Sequence, residues 1–441
     1  MAVSPFDSKL FRDLFSDPES VSLFDDTAQI KGYLQTEAAL ARAQGALGII
    51  PREAADKISS VADSLTINPE DLSTGTQNTG VPIPEFVAQL REVIKGDAAT
   101  YVHWGATSQD IIDTGLILRL KQFTELVEDR VRALKVSLSD QIKKHRHTVM
   151  AGRTRTQQST PILAGLKIAG WLAPFNRHSQ RMSELKPRLL CVQFGGASGN
   201  MASLGDRGLE VADEMAKLLN LQAPAGPWHG QRDSLVEFAG LLSLISGSLG
   251  KIGEDLMLLG QSEVGEMSSG SGGGSSTMPQ KSNPIDAEAL ATLARHNAGL
   301  LANVHHALPH ASERDGPRWS LEWLNLPQMA VATAAALAIG LRIIENLQVD
   351  EARAERNLES SNGLILAEAA SFALSEHMPR VEAQKLVKSA VATSLHDGRH
   401  LMSVLVEMTD APVDWDVVKE PSHYVGAADQ IVDRILAETA V

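Results

Sequence analysis

Phe238-Ala239-Gly240-Leu241-Leu242-Ser243-Leu244-Ile245-Ser246-Gly247-Ser248-Leu249-Gly250-Lys251-Ile252-Gly253-Glu254-Asp255-Leu256-Met257-Leu258-Leu259 carries one apolar residue at alternating steps of four and three. Phe238, Leu242, Ile245, Leu249, Ile252, Leu256 and Leu259 form that series. Such spacing draws a stripe along one face of a helix packed lengthwise against others, whereas a strand repeats every second residue. Leu116, Leu120, Phe123, Val127, Val131, Leu134 and Leu138 give a similar stripe. From Met329 to Leu347 the chain is apolar on most sides, as a helix inside a multi-helix core would be.

Proline is missing from Glu85 to Thr160, from Trp228 to Met278 and from Gln328 to Met378. These windows have room for helices longer than the usual three or four turns. No stretch shows strand alternation flanked by hairpin turns. The expected fold class is therefore all-α, with a long, mainly antiparallel helical bundle in the centre. The expected domains are an N-terminal helical part (1–110, including a Gly75 to Pro84 loop), a central bundle (111–349) and a C-terminal helical part (350–441). A seam left exposed on so long a bundle would invite aggregation, so a homo-oligomer is expected.

Composition narrows the function classes. The 441 residues are 43% hydrophobic, 21% charged and 4% aromatic, with a formal net charge of −14. So acidic a surface argues against nucleic acid or an anionic membrane as partner. An anionic ligand would have to be held by a local cluster of positive groups. The single cysteine, Cys191, excludes an internal disulfide and fits a reducing compartment. The first residues show no basic and apolar secretory pattern, and the apolar run Met329 to Leu341 is too short to span a bilayer. The expected location is the cytoplasm.

Three polar, glycine-containing segments interrupt the helical background. In His103-Trp104-Gly105-Ala106-Thr107-Ser108-Gln109-Asp110, Thr107 and Asp110 have capping-box spacing before an apolar run. The bland reading is a helix start. The functional one adds that such a start, with its free N–H groups, suits a carboxylate. In Gly152-Arg153-Thr154-Arg155-Thr156-Gln157-Gln158-Ser159-Thr160-Pro161, two arginines precede what reads as a helix-opening proline. This is a solvated loop on its own evidence, or a carboxylate site through the guanidinium forks.

The third segment is Gly272-Gly273-Gly274-Ser275-Ser276-Thr277-Met278-Pro279-Gln280-Lys281-Ser282-Asn283-Pro284. A plain linker needs glycine and serine only. Asn283 and Pro284 read as N-cap and first residue of the next helix. Lys281 and that helix terminus would then face the space around Ser275. Positive groups there would lower the serine pKa toward a general-base role, and the glycines would let the loop close over substrate. The segment fits neither a phosphate-binding GxxxxGKS/T loop nor a GxSxG nucleophile elbow. His306 and His310 are four apart but lack a carboxylate partner pattern, and Pro309 stands between them, so they read as structural or substrate-contact residues.

The run from Gly274 to Pro284 resembles the signature of the fumarase/aspartase superfamily, and the other two segments fall in the order of its remaining conserved regions. The resemblance implies an all-α, three-domain subunit with a central long-helix bundle. It also implies a homotetramer whose active sites are shared between subunits, a small anionic carboxylate substrate, and no metal or organic cofactor. By the family pattern Ser275 is the base that takes a proton from the carbon next to a carboxylate, and Lys281 and Asn283 hold the resulting aci-carboxylate. The carboxylate substrate that the resemblance implies needs cationic contacts, for which His103, Arg155, Arg232 and Arg314 are candidates beside Lys281, with Thr107, Ser108, Thr154 and Gln193 as neutral donors and Ser276 and Met278 in the signature segment. Arg232 and Arg314 could instead pair with Asp233 and Glu313.

Within the superfamily the chain is similar to the bacterial 3-carboxy-cis,cis-muconate cycloisomerases. The supporting segments are Leu14 to Glu19, His103 to Asp110, Gln193 to Ala197, Pro227 to Asp233 and His423 to Asp429. One departure bears on the reaction. Most of the lyases carry histidine in the second segment, where this chain has Arg155. A C–N lyase needs a proton donor for its amine, and arginine stays protonated. The cycloisomerases usually carry tryptophan there, so the chain departs from them as well.

Overall fold

The computed structural model of the chain describes residues 4–270, 272–274, 277–279 and 281–439. It is dominated by helices, several of them very long. We label the main ones α1 (Asp26–Ala46), α2 (Ser108–Lys144), α3 (Ala164–Leu189), α4 (Asp233–Leu259), α5 (Ile285–Ala307) and α6 (Gly316–Glu345). Both stripes lie on α2 and α4, and every one of their residues is buried. Burial of each such side chain is worth about 1.5–3 kcal/mol against exposure. The seams close within the chain itself, which corrects the premise of an exposed seam. Apolar residues left exposed on the long helices are Val136 on α2, Leu244 and Leu258 on α4, Ile285 on α5 and Leu324 on α6, none of them in the two stripes.

Proline delimits the helices less strictly than expected. α6 starts at Gly316 and runs through Pro327, so its apolar window is part of a 30-residue helix. By length and composition α4 and α6 would each pass as a membrane span, yet 61% and 72% of their apolar windows are buried inside the protein. The supposed loop at Gly75 is mostly helix, since Glu70–Thr79 and Ile83–Ile94 leave only Gly80 to Pro82 between them.

The chain divides into two compact units. The first comprises 1–130, 178–247 and 293–338. Its core includes Tyr33, Ile58, Phe86, Leu90, Ile111 and Trp319. α1 crosses the start of α2 at a glycine pair: a Cβ at Gly32 would lie 2.9 Å from the Gly115 carbonyl oxygen. Elsewhere in this unit Asn297 Nδ2 is within hydrogen-bond reach of Ser246 Oγ, Thr333 Oγ1 and the Met329 carbonyl. That buried amide ties α4, α5 and α6 together through its nitrogen, while its Oδ1 is buried without a hydrogen-bond partner among the described residues.

The second unit comprises 131–177, 248–292 and 339–441, with a core that includes Leu358, Leu366, Leu374, Ala390, Leu401 and Leu405. It holds the one substantial departure from an all-helical reading. β1 (Val149–Thr154) and β2 (Gln157–Leu163) form an antiparallel hairpin. Arg155 and Thr156 make its two-residue turn, both with positive φ (50° and 67°). That is the type I′ pattern, whose twist matches paired strands but which ordinarily selects Asn and Gly. Pro161 does not open a helix. It sits in β2 opposite Ala151, and α3 begins only at Ala164. Further strands of two residues each are β3 (Met267–Ser268), β4 (Gly273–Gly274), β5 (Ser282–Asn283) and β6 (Gln348–Val349); β4 pairs with β5 inside the third segment, and β3, just before it, pairs with β6.

Candidate active site

The first unit gathers six of the expected contact residues, His103, Thr107, Ser108, Gln193, Arg232 and Arg314, around the start of α2. The capping box there is half made. The Thr107 N–H donates to Asp110 Oδ2 at 2.9 Å, while the Thr107 hydroxyl accepts from Arg314 Nη1 at 2.7 Å. Arg314 Nε also donates to Gln109 Oε1 at 3.2 Å. Arg314 thus lies on the α2 terminus, not on Glu313. The residue after it, Asp315, caps α6 by accepting from the Arg318 and Ala311 N–H groups, which hold its carboxyl down at about 2.

Asp110 is the hub that sequence reading treated only as half of a cap. It is fully buried and accepts four hydrogen bonds. Oδ1 takes the Gly195 N–H at 2.9 Å and His229 Nε2 at 2.7 Å. Oδ2 takes the Thr107 N–H and the Gly196 N–H at 3.0 Å. A carboxylate can only accept, so His229 carries its hydrogen on Nε2. Four donors around one carboxylate fix the α2 start, the Gln193 to Ala197 loop and the Trp228 to Arg232 loop against each other. Gln193 belongs to this arrangement: its Oε1 accepts from the Trp228 N–H at 2.8 Å, while its Nε2 is buried without a hydrogen-bond partner among the described residues.

Arg232 has a different environment from the one expected of a substrate contact. It is fully buried, with Asp113 and Glu322 on its guanidinium at 2.6 Å each and the Trp228 ring 4.8 Å away. Burial alone would lower its pKa, but the two carboxylates outweigh that and raise it. Burial likewise pushes the Glu322 carboxyl up, and Arg232 brings it below its ordinary value. Trp319 Nε1 also donates to Asp113, at 3.0 Å. The charge of Arg232 is spent inside the protein, and neither of its partners is the neighbouring Asp233.

His103 is held in the left-handed region, at φ 62°, by Glu37. The Glu37 carboxylate accepts from the His103 N–H at 3.2 Å and meets Nδ1 at 2.5 Å. Burial lowers the His103 pKa, but Glu37 more than reverses this and the net shift is upward. A protonated His103 would add positive charge near the α2 terminus.

The second unit holds Thr154, Arg155, Met278, Lys281 and Asn283. Arg155 is exposed at the hairpin turn, and among the described residues its guanidinium has no hydrogen-bond or ion-pair partner. The same holds for the exposed Lys281 ammonium. Both cations are therefore open to an anion. Arg153, two residues before the turn, grips Glu266 with two bonds of 2.6 and 2.7 Å, and Asn357 donates to the same carboxylate at 2.8 Å. Glu266 immediately precedes β3, so this clamp ties the hairpin to the chain entering the signature segment.

Within that segment β4 and β5 pair, and the glycines answer to close approach. A Cβ at Gly272 would fall 1.6 Å from Ser282 Oγ, and one at Gly273 would fall 2.1 Å from Ile285 Cδ1. The helix start is displaced from the expected position. α5 begins at Ile285, the Pro284 carbonyl accepts from the Glu288 N–H at 2.9 Å, and Asn283 lies in β5. Pro284 is thus the cap residue rather than the first helical one. Ser275 and Ser276 lie outside the described residues. His306 is exposed on α5, while the buried His310 ring lies 3.6 Å from Glu322, and among the described residues no group of three or more His, Cys, Asp or Glu is placed to hold a metal ion.

Long helices with polar segments at their ends and connections leave the family open, and comparison with known proteins gives it. A family model described as "Lyase" matches residues 16–299. The chain belongs to the fumarase/aspartase superfamily. It is 41% identical to a 3-carboxy-cis,cis-muconate cycloisomerase of Pseudomonas aeruginosa, over 98% of this chain and 96% of that one. It is 35% identical to an N-acetyl-S-(2-succino)cysteine lyase of Enterococcus italicus, over 98% and 96%. A crystal structure of the 3-carboxy-cis,cis-muconate lactonizing enzyme from Pseudomonas putida superposes with a TM-score of 0.91 at 38% identity, covering 98% of this chain and 99% of that one.

Proposed function

We propose that this chain is a cycloisomerase that closes 3-carboxy-cis,cis-muconate to 4-carboxymuconolactone, in the protocatechuate branch of aromatic degradation. One carboxylate of the substrate adds to a double bond, forming the ring C–O bond. Ser275 delivers a proton to the carbon next to another carboxylate, and takes it back in the reverse direction. No leaving group departs, so catalysis reduces to positioning the chain and neutralising carboxylates. Lys281 and Asn283 hold the carboxylate whose neighbouring carbon is protonated. His103, Thr107, Ser108, Thr154, Arg155, Gln193, Ser276, Met278 and Arg314 hold the remainder.

The observation that carries this reading against a C–N lyase is Arg155, a cation with no hydrogen-bond or ion-pair partner among the described residues, at the turn where most of the lyases carry histidine and the cycloisomerases usually tryptophan. A guanidinium neutralises a carboxylate well but gives up no proton to an amine. A tricarboxylate that reacts with itself fits such a site better than a substrate losing an amine. We further infer a homotetramer with active sites shared between subunits, in which exposed Leu244, Leu258 and Leu324 supply apolar contact area.

The test is parallel incubation of the purified protein with 3-carboxy-cis,cis-muconate, adenylosuccinate, argininosuccinate and fumarate, each followed by its ultraviolet change. Loss of muconate absorbance with a lactone product is expected. Turnover of adenylosuccinate alone would instead make the chain a C–N lyase releasing fumarate, and no turnover at all would make it a catalytically silent relative. Ser275→Ala should abolish turnover with helicity and oligomeric state unchanged, and light scattering should give four subunits.

A further inference from the structure

We propose that Gln109 is a positioning residue that aims the Arg314 guanidinium at a substrate carboxylate. The proposal rests on the reading of Arg314 as a substrate contact and adds the device that holds it. Gln109 is buried in the first turn of α2. Its Nε2 faces two acceptors, Asp113 Oδ2 at 3.2 Å and the His229 carbonyl at 3.1 Å. A backbone carbonyl can only accept. Asp113 already meets two nitrogens of Arg232 and Trp319 Nε1, so it accepts as well.

An amide with both hydrogens taken this way cannot flip, because the flipped form would set an oxygen against two acceptors. Oε1 must then face the opposite direction, where it takes Arg314 Nε at 3.2 Å. With Nη1 on Thr107 Oγ1 at 2.7 Å, the guanidinium is pinned at two of its five hydrogens. The others have no partner among the described residues, and they form the donor set a carboxylate would meet. The orientation of one surface-facing arginine is thereby anchored in the buried Glu322–Arg232–Asp113 cluster.

The test compares the wild type, Gln109→Met, Arg314→Ala and the double variant. Two readouts are used: calorimetric binding of tricarballylate, a probe that needs no turnover, and the kinetics with 3-carboxy-cis,cis-muconate. Gln109→Met should weaken tricarballylate about tenfold, as expected for loss of one hydrogen bond to a charged group. It should raise KM more than it lowers kcat. In the Arg314→Ala background it should cost little more, because the two residues act as one. Guanidinium chloride should partly restore Arg314→Ala when Gln109 is intact and fail to do so in the double variant.

Additive losses, or equal guanidinium rescue in both backgrounds, would overturn the proposal. Should Gln109→Met fail to fold, Gln109→Glu serves. Its protonated form keeps an acceptor toward Arg314 and one O–H for Asp113 or the His229 carbonyl; ionisation sets that second oxygen against both acceptors and neutralises Arg314, so affinity should fall more steeply as pH rises. Wild-type affinity without pH dependence would overturn the proposal too. A protein that binds tricarballylate with this coupling but leaves muconate untouched would sink the cycloisomerase reading and keep the positioning role. One that turns muconate over with additive variants would do the reverse.

Discussion

Replacing Asp110 by asparagine changes one atom at the centre of the first unit's half-site. The carboxylate accepts from the Gly195 N–H and His229 on Oδ1, and from the Thr107 and Gly196 N–H groups on Oδ2. An amide has one accepting oxygen, so one of these pairs must confront an NH2 group. Two buried donors are then left unsatisfied, at about 1–3 kcal/mol each, or about 2–6 kcal/mol in total. A domain's stability is about 5–15 kcal/mol, so the protein should fold but with a visibly weaker site. If about 3 kcal/mol of the loss falls on the transition state, kcat/KM drops by about two orders of magnitude. The assays are urea unfolding and the muconate rate, with His229→Phe as the partner variant. His229→Phe keeps a ring but removes one of the four donors, so it should cost less than Asp110→Asn and be non-additive with it. An Asp110→Asn protein within about 1 kcal/mol and about threefold of wild type would refute the reasoning.

Three other outcomes follow from the same geometry. Arg232→Met should lower stability by about 3–5 kcal/mol, because it strands two buried carboxylates, and any rise in KM should come together with that loss, through Asp113 and Gln109. A raised KM at unchanged urea midpoint would make Arg232 a substrate contact instead. The His103–Glu37 pair should stabilise the fold most at acid pH. Since the folded pKa of His103 lies above its ordinary 6.5, the contribution is complete below 6.5 and is lost as pH rises through the folded value. The stability gap between wild type and Glu37→Gln should therefore narrow with rising pH, and a constant gap would reject the pair's role. Gly272→Ala should impair turnover through the Ser282 contact while leaving the urea midpoint near wild type, which activity and unfolding measurements together would check.

What the sequence made legible, and what it did not, follows from the range of the interactions involved. The seams of α2 and α4 were readable because their period is local and each residue reports its own burial. The hairpin was hidden for an equally local reason. Arg155 and Thr156 occupy a turn that ordinarily signals itself with Asn and Gly, so the pattern that announces a hairpin is missing. The α5 start was misplaced by one residue because Asn283 is drawn into the pairing of β5 with β4. The charged residues of the half-site resisted for a different reason. Asp110, Asp113, Glu37 and Glu322 are carboxylates whose partners lie far away along the chain, and local pattern cannot supply those partners. A weak signal did exist, since Glu37 stands in Tyr33-Leu34-Gln35-Thr36-Glu37-Ala38-Ala39-Leu40, where the apolar neighbours lie on its own helix face. A charge in such a setting needs a buried partner. The same logic separates Arg232 from Arg155. Both were expected to hold substrate as cations, but one is neutralised by two carboxylates and the other has none among the described residues. Residue type nominates a cation for anion binding. Whether its charge is still available is decided by what the fold has already placed beside it.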